Sequence, residues 1–253
     1  MKNTPERWLI TGAASGFGRE LATRMLQAGA RVALLDRDEA GLARAAAGFE
    51  ALAHVEVVDV TDPREVASAV DRSADAMGGL TDVFHSAGVL AVGPALDVAA
   101  ADYRRMIEIN YLGSVHVAQA VVPHLRRCGR DASLTFVASV AGLRGFPQLA
   151  GYSASKFAVV GFAQALRDEV AGAIQIKVLC PPPGDTPMVR DLPSLPPIYK
   201  LSPLFSAEQV IDAFLRELRR PGWIALVDLR SKLLSRVARI TPGVLDRIVR
   251  FVS

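Results

Sequence analysis

Short apolar runs rich in β-branched residues recur along the chain at 8–11, 32–35, 55–58, 82–85, 134–138, 176–179 and 223–227. Their length fits strands. Between most of them the apolar positions fall three and four apart, as on one face of a helix, at 17–27, 38–51, 63–77, 101–125, 152–170 and 207–218. Strand and helix therefore alternate throughout, the pattern of a parallel sheet covered on both faces. The pattern predicts an α/β fold, a single doubly wound domain over residues 1–253 with a seven-stranded parallel sheet flanked by helices. Two helix boundaries are sharp. Asp62-Pro63 reads as an N-cap followed by proline at the first helical position, and Gly78-Gly79 closes the same helix. No internal repeat or low-complexity linker divides the chain.

One segment breaks the rhythm. From Pro181 to Pro203 the chain carries eight prolines, too many for a core helix or a central strand. A loop over about 181–206 is expected, and a substrate lid is favoured over a merely exposed connection.

Composition changes this picture little. Of the 253 residues 51% are hydrophobic and 22% charged, which excludes collagen, coiled coil and wholesale disorder. A formal charge of +3 implies no nucleic acid. Cys128 and Cys180 are far apart and suggest neither a disulfide framework nor a cysteine metal site, so a reducing interior is expected. His54, His85, His116 and His124 show no metal-ligand spacing and are read as structural. No apolar leader core precedes Trp8, and no run approaches the length of a spanning helix. The expected location is the cytoplasm, with attachment to a membrane surface as the alternative.

The first strand runs into Thr11-Gly12-Ala13-Ala14-Ser15-Gly16-Phe17-Gly18, which opens onto a helix; a second strand then ends at Asp36, 18 residues beyond Gly18. Glycines in such a turn let backbone approach a pyrophosphate closely, and the helix N-terminus offers N–H groups to the anion. Gly12, Ser15, Gly16, Phe17 and Gly18 are the candidate cofactor-binding residues of the turn. Asp36 can accept hydrogen bonds from the two ribose hydroxyls of NAD, and its charge would repel the 2′-phosphate of NADP. Arg37 could pair with that phosphate, but no second cation stands before Gly16. NAD is favoured over NADP.

Further on, Tyr152-Ser153-Ala154-Ser155-Lys156 begins a helical stretch, and the separation of four places the tyrosine and lysine on one face. A phenol titrates near ~10 in water, so accepting a proton near neutrality requires a bias of roughly 3 units, on the order of 4 kcal/mol. A neighbouring ammonium and an oxidised nicotinamide ring would act in that direction. Ser139 follows the fifth strand and so emerges at the carboxyl edge, where open α/β sheets bind ligands. Asn110 lies in the long helical stretch before it.

The glycine spacing, followed in order by Asn110, Ser139, Tyr152 and Lys156, resembles the classical short-chain dehydrogenase/reductase family. The resemblance covers nearly the whole chain and implies a Rossmann fold and alcohol–ketone interconversion without a metal. Tyr152 would exchange the proton with the substrate oxygen, Ser139 would polarise that oxygen, Lys156 would lower the tyrosine pKa and hold the nicotinamide ribose, and Asn110 would position a water. Asp59-Val60 after the third strand would contact adenine, and Ala87-Gly88 after the fourth would form the cofactor floor. The two asparagines usual before that pair are replaced by His85-Ser86. Pro183 and Thr186 align with the family stretch after the sixth strand, where Thr186 would bond the nicotinamide carboxamide; Pro182 stands in place of the usual glycine.

That replacement and the C-terminal residues resemble the 3-ketodihydrosphingosine reductase branch, which implies an apolar or lipid-like alcohol or ketone. Steroid, retinoid, other bulky apolar and short acyl substrates stay open. Leu143, Phe146, Leu149, Met188, Leu192, Leu195, Ile198 and Tyr199 are expected near the substrate. Residues 228–253 hold six basic and two acidic side chains, and their apolar positions fall at helical spacing on either side of Pro242-Gly243. Such a tail can lie on a bilayer surface as a peripheral membrane contact or pack on protein. The family resemblance implies a homodimer or homotetramer. A catalytically silent dinucleotide-binding sensor or scaffold is the alternative to an enzyme.

Overall fold

Seven parallel strands form the central sheet of the computed structural model, which describes residues 6–200, 203–218 and 220–233. In chain order the strands are β1 (Arg7–Thr11), β2 (Arg31–Asp36), β3 (Ala53–Val57), β4 (Asp82–His85), β5 (Ser133–Val137), β6 (Gln175–Cys180), then the short β7 (Gly184–Asp185) and β8 (Phe205–Ser206), and finally β9 (Ile224–Leu226). The sheet order is β3-β2-β1-β4-β5-β6-β9, while β7 and β8 pair separately. The helices are α1 (Gly16–Gln27), α2 (Glu39–Ala46), α3 (Pro63–Met77), α4 (Ala100–Met106), α5 (Gly113–Cys128), α6 (Ala150–Glu169), α7 (Pro187–Arg190), α8 (Pro197–Lys200) and α9 (Ala207–Leu218). The chain winds outward from β1 to β3, then restarts with β4 on the other side of β1. Thr11 therefore pairs with both Leu35 and His85, and the crevice at this reversal is where such sheets take ligands.

Alternation within the strands builds two cores. Leu9, Ala33 and Leu35 face one, with Val66 and Val70 of α3, Val117 and Val121 of α5 and Val159 of α6. Trp8, Ile10, Val32 and Leu34 face the other, with Leu21 and Leu26 of α1, Leu42 of α2 and Ile211 and Phe214 of α9. β4 and β5 are buried along their whole length, as expected of strands covered on both faces. At the sheet edge β3 leaves Val55 and Val57 exposed. α3 has the expected ends: Asp62 accepts hydrogen bonds from the Arg64 and Glu65 backbone, and Gly78 closes it with φ 74°.

Three elements depart from expectation. The helix expected over 38–51 stops at Ala46, because Ala47 turns extended and Gly48 takes φ 81°. The single helix expected over 101–125 is split by a π-helical turn, Ile107–Leu112. The proline-rich segment is more ordered than an open loop: Pro187 opens α7 at its first position, Pro197 opens α8, and β7 pairs with β8. Proline lacks the N–H that a first helical turn leaves unbonded, so here it starts short helices.

Beyond β9, Asp228 caps a helical turn at 229–233 by accepting from the backbone N–H groups of Arg230 and Ser231. Leu229 and Leu233 are 81% and 61% exposed on it. The rest of the expected amphipathic tail, 234–253, lies outside the described residues. Among the described residues no helix is long and apolar enough to cross a membrane.

Candidate active site

At the end of β1 the chain turns back on itself under close backbone contact. Gly12 has φ 68°, and a β-carbon there would stand 2.9 Å from the Ala87 nitrogen. A β-carbon on Gly18 would overlap the Gly12 carbonyl. Glycine at these positions brings the N-terminus of α1 down onto the turn. Ser15, the residue before α1, makes no side-chain capping bond, which leaves the N–H groups of the first turn directed at the crevice.

Thr11 ties the turn to β4. Its Oγ1 accepts the backbone N–H groups of Ser86 at 3.2 Å and Ala87 at 3.3 Å, and is hydrogen-bonded to His85 Nδ1 at 2.8 Å. His85 Nε2 is buried with no hydrogen-bond partner among the described residues. Burial, reinforced by the nearby Lys156 charge, pushes the His85 pKa down to about 3, so the ring is neutral at physiological pH. The unfolded chain takes up this proton near 6.5 and the folded chain only near 3. Stability due to this residue is therefore present above about 6.5 and lost as pH falls, at up to about 1.4 kcal/mol per pH unit. His85→Asn is expected to flatten the acid limb of the unfolding midpoint measured against pH; an unchanged acid limb would contradict this assignment.

Asp36 stands at the carboxyl end of β2. One carboxylate oxygen accepts the Ala14 N–H and the other the Asp38 N–H, both at 3.1 Å. Asp59 is fixed by Thr61, whose N–H and hydroxyl donate to it at 2.9 and 2.8 Å, and Val60 packs against Gly113.

The far end of the crevice is built by β5, β6 and α6. Ser139 leads a single 3-10 turn, Val140–Gly142, and its Oγ accepts the Ala141 N–H at 3.1 Å. The same hydroxyl lies near Tyr152 and favours its phenolate. Lys156, one turn along α6, donates from Nζ to the Val137 carbonyl at 2.8 Å and lies 5.7 Å from the centre of the Tyr152 ring. Burial pushes Tyr152 up to about 12, against the influence of the nearby Ser139 hydroxyl, and pushes Lys156 down to about 8. Among the protein's own groups, desolvation of the phenol thus outweighs the bias toward phenolate that the sequence assigns to the lysine. Cys180 is wholly buried at the end of β6, and burial raises its thiol to about 12 against the opposing influence of the Ser139 backbone.

Asn110 sits inside the π-helical turn. Its side chain accepts the Val89 N–H at 2.7 Å and donates to the Val89 carbonyl and to Ser155 Oγ, both at 2.9 Å. Its own carbonyl accepts the Ser114 hydroxyl at 2.6 Å. The extra residue of a π turn lets Asn110 leave the helical ladder and clamp the extended segment that follows Gly88. A β-carbon on Gly88 would come within 3.4 Å of both Asn110 Oδ1 and Lys156 Nζ.

One continuous cleft gathers most of the sequence-derived candidates: Gly12, Ser15, Gly16 and Phe17 of the turn, Asp36, Arg37, Asp59 and Val60 at one end, Ala87 and Gly88 on the floor, and Ser139, Tyr152, Lys156, Pro183 and Thr186 at the other. Gly18 and Asn110 stand behind its wall. Sequence reasoning missed Val89 and Ile109, which line it; their apolar character alone gave no signal. Of the residues expected near substrate, Met188 and Tyr199 line this cleft, and Phe146, Leu149 and Ile198 line an adjoining recess. Leu143 packs on the core, Leu192 packs against the cluster that holds Phe146, Leu149 and Tyr199, and Leu195 is exposed.

A glycine turn under close backbone contact, an acid at the end of β2 and a Ser–Tyr–Lys group share one cleft. The short chain dehydrogenase family matches residues 6–195, and the chain belongs to it. It is 38% identical over 194 residues to 1-deoxy-11-beta-hydroxypentalenate dehydrogenase of Streptomyces avermitilis, covering 74% of this chain and 72% of the relative. It is 34% identical over 187 residues to a 3-alpha-(or 20-beta)-hydroxysteroid dehydrogenase of Mycobacterium tuberculosis, covering 73% and 71%. In fold it is similar to a short chain dehydrogenase/reductase from Burkholderia phymatum solved in complex with NAD, with a TM-score of 0.85 at 24% identity over 97% of this chain and 96% of that one. The protein is an oxidoreductase that uses a nicotinamide dinucleotide to interconvert an alcohol and a ketone.

Proposed function

We propose that the chain interconverts an apolar secondary alcohol and its ketone with NAD, through Tyr152, Ser139 and Lys156. The observation that carries this reading is the gathering of Ser139, Tyr152 and Lys156 in one cleft with Asp36, the lysine nitrogen 5.7 Å from the centre of the tyrosine ring. The bound dinucleotide supplies the hydride acceptor for oxidation and the donor for reduction. Ser139 holds the substrate oxygen by a hydrogen bond. Tyr152 takes the hydroxyl proton during oxidation and returns it during reduction. Lys156, fixed by the Val137 carbonyl, presents its remaining N–H bonds to the nicotinamide ribose, and its charge favours phenolate over phenol. Asn110 acts as a positioning residue: it holds the Val89 backbone and so the floor on which the lysine lies. Thr186 fixes the carboxamide beside Pro183.

Support for NAD comes from Asp36. Two backbone N–H groups lock its carboxylate, so it is presented to the adenosine ribose as a fixed acceptor pair. A 2′-phosphate would meet that charge at close range. Asp36→Ala is expected to weaken NAD and to narrow the NAD-over-NADP preference by about 10-fold or more, the scale of one charge-assisted contact. Calorimetric titration of both dinucleotides tests this; tighter NADP than NAD binding by the wild type, in an order Asp36→Ala leaves unchanged, contradicts it.

The recess beyond Ser139 favours an apolar carbon skeleton, its walls being mainly aliphatic, aromatic and proline side chains. A long-chain 3-keto amphiphile, the substrate type implied by the resemblance of 181–188 to 3-ketodihydrosphingosine reductases, belongs to the same chemical class.

A further inference from the structure

Past Ser139 the cleft continues into a recess of about 180 Å³ walled by Phe146, Leu149, Pro182, Ile198 and Tyr199. Its outer wall comes from the turn after β9, a segment far from the family's sequence motifs. Among the described residues the recess has two charged members, Asp228 and Arg230. The carboxylate of Asp228 is engaged at both oxygens, one accepting the Arg230 N–H at 3.2 Å and the other the Ser231 N–H at 3.3 Å. The Arg230 guanidinium has neither an ion pair nor a hydrogen bond within the described residues, and the side chain is exposed.

An unpaired arginine on an open surface needs no explanation. Arg230 is placed differently: it stands at one side of an apolar recess whose inner end is the hydroxyl that meets the substrate oxygen. We propose that Arg230 binds a carboxylate carried by the substrate at the end remote from its reacting carbon. The substrate class is then an apolar hydroxy acid and its oxo acid, with the hydrocarbon skeleton spanning from Ser139 to the guanidinium. A guanidinium offers a planar pair of N–H donors that matches a carboxylate. The anion compensates a charge that Asp228, already committed to the backbone, does not pair. This inference rests on the reading of Ser139 and Tyr152 as the reacting end.

The test is steady-state kinetics of the full chain with NAD on straight-chain and alicyclic secondary alcohols bearing a carboxylate, each beside its methyl ester. The wild type should prefer the acid in kcat/KM, and added salt should erode that preference. Arg230→Gln should reduce the acid-over-ester ratio about 10-fold or more, chiefly through KM, as expected for one hydrogen-bonded charge. Arg230→Lys should restore part of it. Wild-type turnover of the esters with no preference for the acids, or an Arg230→Gln ratio equal to wild type, overturns the anion site and leaves the dehydrogenase reading standing. Failure to oxidise any acid or ester, by protein that binds NAD, overturns both.

Discussion

Tyr152→Phe is expected to lower kcat for alcohol oxidation by roughly 10²–10⁴-fold, the range for loss of a positioned general base, while dinucleotide binding persists. The substitution removes one oxygen from a ring that is 7% exposed, so packing is kept and the proton acceptor is lost. The pH response follows from the same group. With the phenol pushed up to about 12 by burial, the protonated form prevails across neutral pH. Oxidation needs the phenolate, whose fraction grows about tenfold per pH unit below that value, so oxidation should rise with pH. Reduction needs the phenol and should stay level until Lys156 loses its charge near about 8. Stopped-flow rates in both directions, wild type against Tyr152→Phe, check this; equal rates in the two proteins would remove Tyr152 from the chemistry.

Gly18→Ala carries the second large effect, from a residue that does not line the cleft. The new methyl group would be forced into the Gly12 carbonyl, and backbone cannot rotate aside as a side chain can. α1 must move off the turn, destabilising the fold by about 1–3 kcal/mol, the usual cost of overpacking. The helix N-terminus moves with it, so NAD affinity should fall by about 10-fold or more, a further loss of anion contacts. Gly161→Ala is the control. It lies on α6 with nothing within 4 Å of the position of a β-carbon, and is expected to stabilise the protein by about 0.5–1 kcal/mol through helix propensity. Calorimetric unfolding and NAD titration of both variants give the comparison. Wild-type NAD affinity in Gly18→Ala would contradict the role of this contact.

Much of this fold is legible in the sequence because burial on both faces of a sheet leaves a strong signature. β4, at Asp82–His85, and α3, at Pro63–Met77, have the bounds that pattern and caps predict. The π-helical turn at Ile107–Leu112 is not legible, since apolar spacing reports which face is buried and tolerates one extra residue per turn. The proline-rich segment misled in another way. Proline count argues against long elements, and says nothing against short helices that begin on a proline.

The candidate site divides along similar lines. Residues at strand ends, such as Asp36 and Ser139, follow from the topology once the strands are placed. Gly18 and Asn110 do not line the cleft; their places behind its wall are set by contacts with Gly12 and Val89 that no motif spells out. The approach of Asp228 and Arg230 to the recess beyond Ser139 depends on how the chain leaves β9, and sequence distance from Tyr152 hides it. The electrostatics of Tyr152 were also hidden: spacing shows that a lysine lies one turn away, but not that burial of the phenol is the larger influence.

The central claim is that hydride passes between a nicotinamide ring and a substrate carbon beside Tyr152. Secondary alcohols deuterated at the carbinol carbon, incubated with the protein and NAD, test it most directly when the recovered dinucleotide is read by mass spectrometry. Deuterium on the reduced nicotinamide with wild-type protein, at a rate lowered roughly 10²–10⁴-fold in Tyr152→Phe, is the predicted result. Unlabelled dinucleotide across the whole alcohol series, from protein with NAD bound, would contradict the account.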